Sequence, residues 1–310
     1  MAVPEAAQGI TAVVVTYNPD PEQLARLCQA VQPQVEHVVL VDNGSSAETL
    51  AALQALVEGP SSALTLLAQG ENRGIGAAQN AGIALARQHG SRYVLLLDHD
   101  SIPEADMVAT LRAAIEDQPA GSPPVAAAGP RYADARQTTN PSPFVQLEGF
   151  KRVRCECQHA GQLIEVEHLI ASGSLIPMAV LDAVGDMDER LFIDYVDIEW
   201  CLRAAHAGYR MLGVCDARMQ HELGDTPIRF MGKHLPDHSP LRHYYLFRNA
   251  LLLQRMPHIG WRWKVVDAYQ TVMKYGFYAL VATPRLPRIR MMNRGLWDGL
   301  LGRGGAYQPR

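Results

Sequence analysis

The sequence predicts an α/β protein built on a doubly wound, mainly parallel sheet, with a helical C-terminal extension. Three observations predict it. Four apolar, β-branched runs fail to alternate, segments of helical period lie between them, and the last 70 residues carry helical patterns broken by prolines. Runs without alternation mark strands covered on both faces, as in parallel sheets.

The first strand is 10–17 (ITAVVVTY). A helix follows, with Asp20 as N-cap, Pro21 at the first helical position, and Leu24, Leu27 and Val31 at i, i+3 and i+7. Residues 37–41 (HVVLV), 64–67 and 93–97 (YVLLL) read as further strands, and 47–57, 76–89 and 105–115 as further helices, which makes repeated βαβ units. Residues 121–157 dissolve into Pro, Thr, Asn and charged residues and read as a loop-rich insertion bordering a binding cleft. Order returns with 169–176, a helix around 179–184, a helix over about 197–206 closed by Gly208, and a short strand at 211–214. Pro257, Pro284 and Pro287 divide the tail into helices, giving a main domain over 1–238 and an extension over 239–310.

Composition narrows the function. With 48% hydrophobic and 19% charged residues the chain is an ordinary globular protein, not a disordered or fibrous one. It has no charge-free apolar stretch long enough to span a bilayer and no signal-peptide pattern at its start, so a cytoplasmic protein is expected. Its five cysteines are odd in number and form no CxxC pair, which predicts reduced, buried thiols and neither a disulfide framework nor a zinc site. The net charge of −4 hides a division: from Arg242 onward there are 12 Lys+Arg against 2 Asp+Glu, leaving −14 for residues 1–241. An acidic body argues against nucleic acid as a partner.

In open α/β sheets ligands sit beyond the carboxyl ends of the strands, and here those ends are polar. The first ends in Thr16-Tyr17-Asn18, the second in Asp42-Asn43, the third leads into Asn72-Arg73-Gly74, and the fourth ends in Asp98-His99-Asp100. Two carboxylates so close repel unless a cation lies between them, and hard oxygen ligands suit Mg²⁺ or Mn²⁺. D-x-D alone reads equally as a turn, and its strand-end position is what favours metal. Asp42 can accept from a ribose hydroxyl or an imide N–H, although Asp-Asn-Gly-Ser-Ser is also turn chemistry. Gly74-Ile75-Gly76 is no dinucleotide fingerprint, because Gln79 stands where the third glycine belongs; it leaves a small-residue helix start able to approach a phosphate. Asn80, one turn in, is either a polar contact there or an exposed helix residue. Asp197, where a helix begins, has the helix dipole to hold it as an anion, which suits a general base. Glu199 and Arg203 are spaced as an i,i+4 pair.

Taken together, VVVTYNPD, LVDNGSS, ENRGIGAAQNAG, LLLDHDS, ASGSLIP, FIDYVDIEWCLRA and the segment around His221 resemble, in order, the inverting glycosyltransferases of family 2. The later RHYYLFRNALLL and GLWDGLLGRGG look like the bacterial rhamnosyltransferase subgroup. The resemblance implies a GT-A fold, a nucleotide-sugar donor such as dTDP-L-rhamnose, a divalent metal, and a glycan or lipid-linked acceptor. It implies that Tyr17 and Asp42, with Thr16, Asn18 and Asn43 beside them, hold the nucleoside, and that Asn72, Arg73, Gly74 and Asn80 lie near base or phosphates. Asp98, with His99 beside it on the donor side, and Asp100 would hold the metal with His221, and Asp197 would be the catalytic base. Ser172, Gly173, Ser174 and Asp194 fall on the acceptor side. Many members carry Glu-Asp where this chain has Val196-Asp197. Alternatives are another sugar, such as galactofuranose, or a non-catalytic sugar-nucleotide-binding protein.

In the extension, Trp261, Trp263, Tyr269, Tyr275, Phe277 and Tyr278 alternate with Arg and Lys. That pattern fits an anionic membrane surface at the inner face of the plasma membrane, or core helices packed on the main domain or on a second subunit. The oligomeric state is open.

Overall fold

The computed structural model describes residues 7–58, 64–133, 143–221, 228–230, 233–235 and 238–309, with backbone only for 228–230 and 233–235. Residues 134–142 of the irregular stretch and 222–225 after His221 lie outside the described residues. The first half runs β1 (Ile10–Thr16), α1 (Pro21–Val31), β2 (His37–Asp42), α2 (Ala47–Val57), β3 (Leu64–Ala68), α3 (Ile75–Gln88) and β4 (Tyr93–Asp98). These strands lie in the order β3-β2-β1-β4, all parallel, so their carboxyl ends open on one edge. Asp20 caps α1 by accepting from the Glu22 and Gln23 N–H groups, and Ser46 caps α2.

Successive strand residues alternate between two cores, which is why the runs read as continuously apolar. Val13, Val15, Val39, Val41 and Leu96 pack with Ala78 and Ile83 of α3. Ala12, Val14, Leu40, Leu95 and Leu97 pack on the other face with Leu24 and Leu27 of α1.

Next come β5 (Ser101–Pro103), α4 (Met107–Glu116), β6 (Val125–Ala133), the hairpin β7 (Val145–Glu148) and β8 (Lys151–Arg154), β9 (Leu163–Val166), β10 (Leu175–Pro177), α5 (Met178–Val184), α6 (Val196–His206) and β11 (Arg210–His221). The sheet extends from β4 through antiparallel β10 to β6, parallel β11 and antiparallel β5, with β9 also on β11. Two expectations need correction here. Residues 121–157 are not all loop: β6 lies inside the main sheet, its Ala126, Ala127 and Ala128 buried but too small to signal a strand. The strand expected at 211–214 runs twelve residues, because beyond Val214 it alternates buried and exposed positions and ends with buried His221. The register shift between Val214 and Arg218 marks that change.

A small hairpin, β12 (Ile228–Phe230) and β13 (Lys233–Leu235), precedes α7 (Pro240–Gln254), α8 (Trp261–Leu280) and α9 (Arg285–Leu300). Pro287 does not divide the tail; it sits in the first turn of α9, where its missing N–H has no intrahelical acceptor to lose. α7 and α9 touch closely enough that a Cβ on Gly295 would lie 2.3 Å from the Tyr244 carbonyl oxygen. Asp298 ties them, accepting from Tyr244 Oη (3.0 Å), Arg294 Nε (3.0 Å) and Arg303 Nη1 (2.9 Å). Of the six aromatic residues noted in the extension, Trp263 and Tyr278 are core, while Trp261 and Tyr269 face solvent. Among the described residues no helix is long and apolar enough to cross a membrane.

The cysteine reading also needs correction. Cys157, just beyond β8, is disulfide-bonded to Cys215 on β11, 58 residues away, because the sheet brings the two Cα atoms to 5.7 Å. No spacing in the sequence signals such a pair. Cys28 and Cys201 are buried thiols as expected, pushed by burial to about 11 and about 12. Replacing Cys157 and Cys215 by serine is expected to lower unfolding free energy by about 2–4 kcal/mol. Thiol titration of the denatured wild type should count three groups before reduction and five after it.

Candidate active site

The carboxyl ends of β1 to β4, the N-terminus of α6 and helices α7 and α8 of the extension border a cleft of about 580 Å³. Its floor holds Asp98 and Asp100 at the end of β4, His221 at the end of β11 and Asp197 in the first turn of α6. Asp98, Asp100 and His221 each offer one ligand atom, all within 4.8 Å of one another. A hydrogen-bonded chain braces them: the Asp98 N–H donates to Ser172 Oγ (3.0 Å), Ser172 shares a hydrogen bond with Ser101 (2.7 Å), and Ser101 Oγ is 2.7 Å from His221 Nδ1. Asp100 Oδ1 is buried 3.3 Å from His221 Nδ1 and accepts no hydrogen bond of good geometry. Two hard carboxylates and an imidazole, one carboxylate oxygen being otherwise unsatisfied, fit a divalent cation.

The electrostatics of the floor follow from burial. Desolvation raises Asp98, helped by the charges of Asp100 and Asp197 and opposed by His221. Burial also acts upward on Asp100, but the close approach and charge of His221 outweigh it and hold that carboxyl below its ordinary range. Asp197 is raised chiefly by burial, against the charge of His168 and the Ile198 N–H that donates to Oδ1 (2.8 Å). Burial here acts against the α6 dipole, which favours the anion.

Of the residues proposed from sequence, Tyr17, Asn43, Asn72, Gly74, Asp98, His99, Asp100, Ser172, Asp194, Asp197 and His221 line the cleft. The others do not. Thr16 is buried beneath it. Asn18 accepts from the Ser46 N–H and Asp42 from the Gly44 and Ser45 N–H groups, so both are spent on the turn that seats α2. Arg73 is exposed, its N–H held by Asn43 Oδ1 (2.9 Å). Asn80 clasps the Met187 backbone (3.0 and 2.9 Å) and Glu189, and so is neither a cleft contact nor a free surface residue. The Gly173 N–H donates to the Leu96 carbonyl and Ser174 Oγ to that of Ile170, so both serve the backbone of the β4–β10 junction. The spaced pair Glu199 and Arg203 is an internal lock, with Glu199 fully buried.

Sequence reasoning missed the wall opposite the strand ends, formed by Arg152 of β8, Arg242 and Leu246 of α7, and Asp267 and Lys274 of α8. Arg242 reaches Asp194 at 3.0 Å. Arg248 Nη2 donates to the carbonyls of Arg190 (3.0 Å) and Leu191 (2.8 Å), and Asn249 Nδ2 faces those of Leu191, Ile193 and Asp194 at 2.8–2.9 Å. The RHYYLFRN segment thus clamps the loop that enters α6. A signal for this wall was present: Asp267 and Asp298 are the sole acidic residues after Arg242.

Residues 11–160 match the family described as Glycosyl transferase family 2. Along 96% of its length the chain is 34% identical to the dTDP-rhamnosyl transferase RfbF of Shigella flexneri, covering 98% of that protein. The chain belongs to glycosyl transferase family 2. The chain is also 27% identical to the galactofuranosyltransferase GlfT1 of Mycobacterium tuberculosis, across 94% of this chain and 93% of that one. The fold recurs in residues 1–349 of S. aureus TarS, in complex with UDP-GlcNAc (TM-score 0.58, 16% identity, 95% of this chain and 81% of that one). It recurs also in GalNAc-T7 with UDP, GalNAc and Mn²⁺ (TM-score 0.59, 15% identity), where 89% of this chain spans 57% of the other. What this family 2 chain shares with both is the fold, here a mixed sheet with helices.

The raised carboxyl of Asp197 has a cost in stability. A group whose folded pKa lies above its unfolded value favours the fold most below the unfolded value, and that contribution is lost as pH rises through the folded value. Asp197→Asn is therefore expected to melt above wild type at pH 7 without donor or metal, the gap closing by about pH 4. Thermal denaturation at both pH values reads this, and a variant melting below wild type at pH 7 would contradict the desolvation of Asp197.

Proposed function

We propose that the chain transfers L-rhamnose from dTDP-L-rhamnose, with inversion, to a hydroxyl of a glycan or lipid-linked acceptor. The observation that carries this reading is the 34% identity to the Shigella flexneri dTDP-rhamnosyl transferase along nearly the whole chain, joined to three aspartates on one cleft floor. The lower identity to the galactofuranosyltransferase makes that sugar the second reading.

Tyr17, Asn43 and Asn72, at the strand ends, receive the nucleoside diphosphate. Asp98, Asp100 and His221 would hold Mg²⁺ or Mn²⁺, which when bound supplies Lewis-acid neutralisation of the leaving diphosphate. Asp197 takes the proton of the acceptor hydroxyl while its oxygen bonds to the anomeric carbon from the face opposite the diphosphate. The bond from that carbon to the diphosphate oxygen breaks, dTDP departs, and the configuration inverts. Holding donor and acceptor in line in one cleft supplies much of the acceleration. Gly74, at φ +89°, lets the start of α3 press against the loop before α6, since a Cβ there would lie 2.5 Å from the Phe192 carbonyl oxygen.

We propose further that the chain docks on the inner face of the plasma membrane through α8. Trp261, Val265, Tyr269, Val272, Met273 and Leu280 recur at helical spacing and are 50–72% exposed. Phe150 of the β7–β8 hairpin packs on Trp261 and lengthens the strip. Exposed Lys151, Arg262 and Arg285 stand beside it, and both acidic residues of the extension are buried. An apolar strip bordered by cations suits an anionic lipid surface.

Thermal shift with a panel of sugar nucleotides in Mn²⁺ is expected to single out dTDP-rhamnose, and selective stabilisation by UDP-galactofuranose would replace the sugar. Asp197→Asn is expected to keep donor affinity while turnover falls about 10²- to 10⁴-fold; near-normal turnover would remove Asp197 as the base. Sedimentation with phosphatidylserine vesicles should carry down wild type at low salt but leave Tyr269→Ser/Val272→Asp in solution, and equal binding of both proteins would exclude the strip.

A further inference from the structure

α8 turns an apolar strip to solvent and its opposite side to the protein. That inner side carries Asp267 and Lys274, seven residues apart and both lining the cleft, and Tyr278, one turn past Lys274, which packs on α7 and α9.

Asp267 is 1% exposed. Its Oδ1 accepts from the hydroxyl of Tyr195 (3.0 Å), while its Oδ2 is buried with no hydrogen-bond donor. Arg152 of β8 brings Nη2 to 4.0 Å from Asp267 and Nε to 3.3 Å from Glu167, and its guanidinium lies over the Trp263 ring at 5.2 Å. Neither Nε nor Nη2 of Arg152 makes a hydrogen bond of good geometry. Lys274 adds an ammonium group whose charge interacts with Asp267 and Asp194. Buried polar groups left without partners are costly and uncommon, so a cleft wall with several of them is built to be completed by a ligand.

The charges on this wall balance. The balance includes Glu167, which pairs with Arg152 but does not itself line the cleft: Arg152 and Lys274 are set against Asp267 and Glu167, and Arg242 is paired with Asp194. A bound phosphate or carboxylate would meet the carboxylates as well as the cations, whereas an uncharged sugar presents hydroxyls that donate to Asp267 and accept from Lys274 and Arg152. The wall also adjoins the right atoms. Asp197 is a charged neighbour of Asp98 in the metal cluster, and Tyr195, two residues before Asp197, is bonded to Asp267. The reacting hydroxyl would lie between these two groups.

We propose that Asp267, Lys274 and Arg152 form the acceptor subsite and hold an uncharged pyranose by its hydroxyls. The assignment rests on the glycosyl-transfer reading and adds to it the chemical class of the acceptor.

The test uses the full chain with Mn²⁺, dTDP-rhamnose, and octyl glucoside, octyl N-acetylglucosaminide and octyl rhamnoside as probes. Release of dTDP is followed with and without each glycoside, and saturation-transfer NMR reads glycoside binding with dTDP in place of the donor. Lys274→Met is expected to raise the acceptor KM about tenfold or more, the scale of one hydrogen bond to a charged group, with donor KM within twofold, and to abolish the saturation-transfer signal. Asp267→Asn should do the same if it folds, and Lys274→Met, on a half-buried helix face, keeps the test open if it does not. An acceptor KM unchanged in Lys274→Met, a donor KM that rises in step, or a wild type that binds none of the three neutral glycosides would each overturn the subsite. A wild type that binds glycosides yet never releases dTDP from the donor would instead count against the rhamnosyl reading and leave the subsite standing.

Discussion

The loop entering α6 is held in a backbone conformation it would not adopt alone, and the position of Asp197 depends on that restraint. Phe192, Asp194 and Tyr195 all have φ between +62° and +67°, a left-handed region that costs L-residues about 1–2 kcal/mol each. The offset comes from α7: Arg248 and Asn249 engage the carbonyls of residues 190, 191, 193 and 194, and Arg242 fixes the Asp194 carboxylate. Phe192 stacks on Tyr245 (4.8 Å, 11°), and its carbonyl accepts from the Ile75 N–H at the start of α3. α9 in turn braces α7 through Asp298 and the close approach at Gly295. The extension is therefore part of the framework that positions Asp197. One sequence motif clamps the loop and the other supports the clamp.

The same restraint concentrates charge where solvation alone would disperse it. Asp98, Asp100 and Asp197 share one cleft floor, and burial raises two of the three. Such clustering is unfavourable in the bare protein and becomes favourable when a cation and a proton-bearing acceptor enter. The Ser172-Ser101-His221 chain ties the Asp98 backbone to the His221 ring and so fixes the imidazole beside the two carboxylates. α8 joins this economy from the other side, with Asp267 and Lys274 toward the cleft and an apolar face toward solvent. A single helix thus runs between the cleft wall and an exposed apolar surface.

Much of this was legible in the sequence, for local reasons. The four parallel strands were visible as β-branched runs, α1 by its Asp20-Pro21 cap, and the ligand edge by polar residues ending each strand. Asp98, Asp100 and Asp197 could be named because strand ends and a helix start fix where they lie, and His221 through the family resemblance. Asp42, Asn18 and Asn80 carry the same polar chemistry but spend it on backbone, and a sequence does not distinguish a side chain facing a ligand from one facing its own turn. β6 was missed because alanine gives little strand signal, and its burial comes from the neighbours β10 and β11.

By itself the sequence determined the alternation of strands and helices, the edge at which ligands enter and the aspartates on it, since these follow from periodicity and capping within a few residues. Tertiary structure alone decided that Cys157 meets Cys215, that α7 holds the loop of Asp197, and that Asp267 and Lys274 face the cleft. Those contacts join residues tens of positions apart, and which of them form depends on how the layers pack, a property of the whole chain that no short segment carries.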